Sequence, residues 1–129
     1  MKDHLWIKIL FAYVGVVEFA VGLPFLLLPG PVFSLAGIPL IDRLEFVQFP
    51  ALLIMVFGLM MLNIARDPVR HQQLIIYCCL FKAAFIYVVV FNWLTKGLPL
   101  LWLLFASLDA IYLIGFIIAY LKLKQPSST

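Results

Sequence analysis

Four stretches of this chain are apolar for about twenty residues or more, and charge interrupts them only sparsely. A bilayer's hydrocarbon core is about 30 Å thick, which about 20 apolar residues cross as a helix. The runs predict helices over residues 5–28, 44–65, 68–94 and 98–121. The expected fold class is therefore all-α: an integral membrane, four-helix transmembrane bundle forming one domain over residues 1–129. Composition agrees. Of the 129 residues, 66% are hydrophobic and 12% charged, with a mean hydropathy of +1.16. Soluble domains carry roughly 45–50% apolar and about 25% charged residues, so the solvent for most of these side chains is expected to be lipid.

The breaks between runs are local chemistry. Pro29-Gly30-Pro31 is read as the stop of the first helix, because proline has no N–H with which to continue the ladder. Asp67-Pro68 reads as an N-cap followed by proline at the first helical position, so the third helix is expected to start at residue 68. Lys96-Gly97-Leu98-Pro99 is a tight turn. The stretch at 31–40, PVFSLAGIPL, is apolar but broken by Gly37 and Pro39, and is expected along the membrane surface or dipping shallowly into it. Ser34-Leu35-Ala36 resembles a signal-cleavage site, but the apolar run before it exceeds the roughly 7–15 residues of a signal core. It is read as a retained helix. Residues 125–129 are polar and expected to fray.

Orientation follows from where lysine and arginine fall. Lys2, Lys8, Arg66, Arg70, Lys122 and Lys124 lie on one side, Arg43 and Lys96 on the other, which predicts N and C termini in the cytoplasm of a cell whose inner (plasma) membrane holds the chain. Trp6, Trp93, Trp102 and Tyr120 fall near expected interfaces.

Glu18, Lys82 and Asp109 are the ionisable residues well inside the runs. Such a group at mid-membrane costs several kcal/mol on most scales and by default suggests a functional role. Glu18 lies 13 residues beyond Leu5, about 20 Å from the cytoplasmic end at about 1.5 Å per residue. Asp109 lies 12 residues before Leu121, about 18 Å from the same end. Lys82 lies about 12 Å in from Leu74, or about 16 Å if the buried part begins at His71. One ammonium is thus expected to meet two carboxylates from separate helices at a shared depth. With all three ionised the sum is −1, so one carboxyl is expected to hold a proton. Gly15 and Gly22 flank Glu18 at i−3 and i+4 and permit a close helix there. Ala106 precedes Asp109 by three, and Tyr112 follows by three with a hydroxyl to donate. The first reading is an ionic cluster that orders the helices. The second is a proton-handling or ligand-polarising site. The third has Lys82 snorkelling to the interface on its flexible stem.

Asn63 joins the polar candidates, first as glue between helices and second as a ligand contact. Cys78 and Cys79 are adjacent, form no C-x-x-C, and are read as packing. His4 and His71 lack a third ligand for a metal. Met55, Met60 and Met61 are read as packing or lipid-facing, and otherwise as walls for a flexible apolar ligand. The net charge of +3 is scattered over segment ends without a basic patch, which argues against nucleic acid. No nucleophile elbow, phosphate loop or H-E-x-x-H motif is present.

The segments GVVEFAVGLPFLLLPGPVFSLAGIP, LFKAAFIYVVVFNWLTKGLPLLW and SLDAIYLIGFIIAYLK together resemble the small four-helix bacterial inner-membrane proteins of the DoxX-like group. That resemblance implies an association with membrane quinone or thiol redox systems, often as a small subunit beside another protein. No cofactor is evident from motifs, and quinone is the cofactor class the resemblance implies.

The functional expectation is a membrane subunit or lipid- or quinone-binding module, not catalytic on its own, around Glu18, Lys82, Asp109, Asn63 and Tyr112. The alternatives are a quinone-linked redox subunit and a small transporter or proton pathway. The expected partners are the bilayer and either another protein or a second copy, since so short a chain encloses little interior.

Overall fold

The computed structural model describes residues 4–37, 39 and 42–124, which are all-helical, with no strand among them. Five helices follow one another: α1 (Leu5–Leu27), α2 (Pro29–Ala36), α3 (Glu45–Arg66), α4 (Gln72–Lys96) and α5 (Leu100–Lys124). The four long ones have the length and apolarity to cross a membrane, as expected of a multi-pass membrane protein. A helix satisfies its own backbone groups, which is what a chain in hydrocarbon requires. Large apolar side chains face outward along all four, among them Ile9, Leu59, Leu80 and Ile114.

The short α2 departs from the expectation at 31–40. Pro29-Gly30-Pro31 ends one helix and also begins another. Leu28 breaks α1, its N–H still bonded to the Pro24 carbonyl, and Pro29 then occupies the first position of α2. Proline is favoured there because its missing N–H would have had no partner anyway. Gly37 closes α2 in the left-handed conformation, φ 75°, donating its N–H back to Phe33 and Ser34, the usual role of glycine after a helix end. Ile38 and Leu40 lie outside the described residues, as do Lys2 and the tail at 125–129.

The start of α4 also moves. Asp67 and Pro68 open a turn, not the helix itself. The Asp67 side chain accepts the Arg70 N–H at 3.3 Å and its carbonyl accepts the His71 N–H at 3.1 Å, and regular helix begins at Gln72. The aspartate caps, as its residue type predicts, but it caps one turn earlier.

The long helices pack as two pairs, α1 with α3 and α4 with α5. Glycine makes the first pair close. A methyl group at Gly15 would stand 2.8 Å from the Gly58 carbonyl oxygen, and one at Gly22 would stand 2.7 Å from that of Ala51. Two turns onward along α1 correspond to two turns back along α3, so the pair is antiparallel. The pairs join through aromatic stacks, Phe11 on Phe116 at 4.5 Å and Phe57 on Phe81 at 4.3 Å. A dry core of Ile7, Phe11, Val14, Met61, Ile64, Ile75, Cys78, Phe116 and Ala119 fills the half nearer the N-terminus of α1 and the C-terminus of α5.

Candidate functional site

Lys82 lies buried where the dry core gives way to the other half. It sits on α4 between the Cys78 and Ile86 turns, and its residue exposure is 0%. Its ammonium forms an ion pair with Glu18 of α1 and donates to Asp109 Oδ1 of α5 at 3.0 Å. The cluster therefore draws on three helices. Its Asp109 contact lies within the α4/α5 pair, and its Glu18 contact crosses the seam to α1/α3. The snorkelling alternative is overturned, because two carboxylates hold the ammonium inside.

Local sequence explains each position. Glu18 points into the interior because α3 lies against its own face of α1. A methyl group at Gly58 would stand 3.3 Å from the Glu18 Cβ as well as 2.8 Å from the Gly15 carbonyl oxygen. Gly58, which sequence reasoning passed over, thus sets the approach that locates Glu18. Its signal was present as the sole glycine in the run 44–65. Ala106, buried one turn before Asp109, keeps the α5 face low where the carboxylate emerges.

Tyr112 joins the cluster by its ring. Lys82 Nζ lies 5.4 Å from the ring centroid, and Tyr13 meets the ring edge-on at 6.2 Å. No hydrogen bond joins Tyr112 to Asp109 among the described residues, so the expected hydroxyl role gives way to a cation–π contact. Asn63 is not part of the cluster: it is exposed on α3. Met61 and Ile64 occupy the inward face there and are fully buried. Asn63, between them in sequence, is turned about 100° from Ile64 and about 160° from Met61.

Above the cluster the two helix pairs leave a cavity of about 330 Å³. Its walls come from the C-terminal part of α1, α2, the N-terminal half of α3, the middle of α4 and the start of α5. They are strongly aromatic, with Phe25, Phe33, Phe46, Phe85, Trp102 and Phe105 among them. Trp102, near the start of α5, faces the cavity and lies 6.3 Å from Phe85. The apolar lining ends on Glu18, Asp109 and Tyr112. The Glu18 and Asp109 side chains keep 11% and 16% of their surface, while Lys82 keeps none. The cavity thus meets the carboxylates, and the ammonium lies sealed behind them.

The cysteines and His71 lie outside the cavity lining. Cys78 is buried in the dry core and Cys79 half-buried beside it, both as free thiols. His71 Nδ1 lies 3.1 Å from the Asp67 carbonyl oxygen. Among the described residues no three His, Cys, Asp or Glu side chains converge as a metal site, and every buried side-chain nitrogen or oxygen has a hydrogen-bond partner.

No family model, curated protein or solved structure matches the chain.

Proposed function

We propose that this chain is a small multi-pass protein of the inner (plasma) membrane, a four-helix bundle with both termini cytoplasmic, acting as a membrane-embedded binding module. The observation that carries this reading is a cavity with aromatic walls that narrows onto two carboxylates held by a buried lysine. Ligand pockets are typically about 300–1,000 Å³, mostly apolar, with a few convergent polar groups, and this cavity has that character. The body of an amphipathic molecule, a lipid or a quinone, occupies the aromatic part, and its head group meets Glu18 and Asp109. The likeness to DoxX-like proteins fits such a role, with a protein partner or a second copy completing the assembly. The dry core beneath the cluster supports a closed pocket over a continuous proton or solute pathway, because it places packed Phe11 and Phe116 where a path would have to continue.

The test is mass spectrometry of gently extracted protein, reading bound small molecules and proteins together. Wild-type protein is expected to retain an amphipathic small molecule. Val21→Trp, which fills the cavity from α1, is expected to lose it. Wild-type protein that retains nothing, or equal retention by Val21→Trp, contradicts the reading.

A further inference from the structure

The charge at the cavity floor specifies the head group more narrowly than the shape does. We propose that the cavity takes an organic monocation, an amine or ammonium on an apolar or aromatic body, with its positive end at Glu18 and Asp109. The inference rests on the proposed binding role and narrows its ligand, setting an amphipathic cation in place of a neutral quinone or a phosphate-bearing lipid.

Three observations carry it. First, the groups able to carry charge at the cavity floor are the carboxyls of Glu18 and Asp109, since Lys82 is fully enclosed behind them. A ligand descending to the floor meets acceptors and negative charge. Second, one ammonium faces two carboxyls, so the cluster is neutral while one of them holds a proton, and a cationic ligand lets that proton leave and balances the −1 that results. Between largely buried groups with apolar walls this favours a second positive charge and disfavours a negative one more than bulk water would. Phosphate or carboxylate head groups would add repulsion to that sum. Third, the walls above the floor present Phe85, Trp102 and Phe105, and Tyr112 lies at the floor itself. Aromatic faces attract a cation within about 6 Å of the ring centre and are a recurrent way of holding alkylammonium groups. The enclosed Lys82 already uses the Tyr112 face at 5.4 Å. An inorganic cation would satisfy the floor but leave the apolar cavity unfilled.

The probes are 4-phenylbutylamine, 4-phenylbutan-1-ol and 4-phenylbutyrate, which share a skeleton and differ in charge. Each is titrated into full-length protein in phosphatidylcholine nanodiscs, with Val21→Trp nanodiscs giving the background partition into lipid. The amine is expected to bind saturably, about tenfold or more tighter than the alcohol, and the butyrate more weakly still. Glu18→Gln and Asp109→Asn are each expected to narrow the gap between amine and alcohol. Alcohol or butyrate binding that matches or exceeds the amine, and is lost in Val21→Trp, overturns the charge assignment while leaving the pocket intact. If no probe binds above the Val21→Trp background, both the charge assignment and the binding role fall. The comparison among probes uses wild-type protein, so a variant that fails to fold does not remove the test.

Discussion

Lys82 on α4 pairs with Glu18 on α1 across the seam between the two helix pairs. The same ammonium holds Asp109 at 3.0 Å within its own pair. Its two bonds therefore differ in what they connect: one orders a helix hairpin, and the other docks that hairpin onto its neighbour.

Removing the lysine leaves two carboxylates facing each other without a counter-charge. Lys82→Met is expected to destabilise the protein by about 3–5 kcal/mol, the range for stripping one partner from a buried ion pair. Denaturant titration in mild micelles measures it, and a shift within error of zero would mean the cluster contributes nothing to the fold.

Gly58 is expected to tolerate almost nothing larger. Gly58→Leu would drive a side chain into the Gly15 backbone and the Glu18 Cβ, and overpacking of this kind costs about 1–3 kcal/mol. Gly30→Ala is the matched control, since nothing lies within 4 Å of a methyl group there. Thermal unfolding should separate the two, and equal melting temperatures would argue against a close α1/α3 crossing.

The adjacent thiols should differ in reactivity. Cys78 is fully buried and Cys79 is not, so N-ethylmaleimide should modify Cys79 in Cys78→Ala protein faster than Cys78 in Cys79→Ala protein. Mass spectrometry of folded protein gives the rates. A faster Cys78 would place the dry core elsewhere.

Orientation is testable through single cysteines in a background with Cys78 and Cys79 replaced by alanine. By the charge asymmetry of flanking segments, Gly97→Cys should react with an impermeant thiol reagent from outside intact cells, and Gln73→Cys should not. The reverse pattern would invert the topology.

How much of this was legible beforehand depended on how conspicuous each residue is against an apolar background. Glu18, Lys82 and Asp109 stood out because each is costly in hydrocarbon, and counting helical rise put them at one depth. The cavity was not legible. Phe85, Phe105 and Trp102 have the same composition whether they line a pocket or face lipid, and helices apolar on all sides carry no periodic stripe to tell the two apart. Helix α2 was hidden because proline both stops and starts helices, and Pro29-Gly30-Pro31 does both within three residues. Asn63 shares the cluster's polarity, but its place on α3 beside inward-facing Met61 and Ile64 turns it outward.

The central claim is that Lys82 and Glu18 meet in the dry interior across two separate helix pairs. A double-mutant cycle on unfolding free energy, combining Lys82→Met with Glu18→Gln, tests it most directly. A coupling of about 1–3 kcal/mol is expected, with the double variant recovering part of what Lys82→Met loses. Single effects that add to within about 0.3–0.5 kcal/mol would mean the two side chains do not touch.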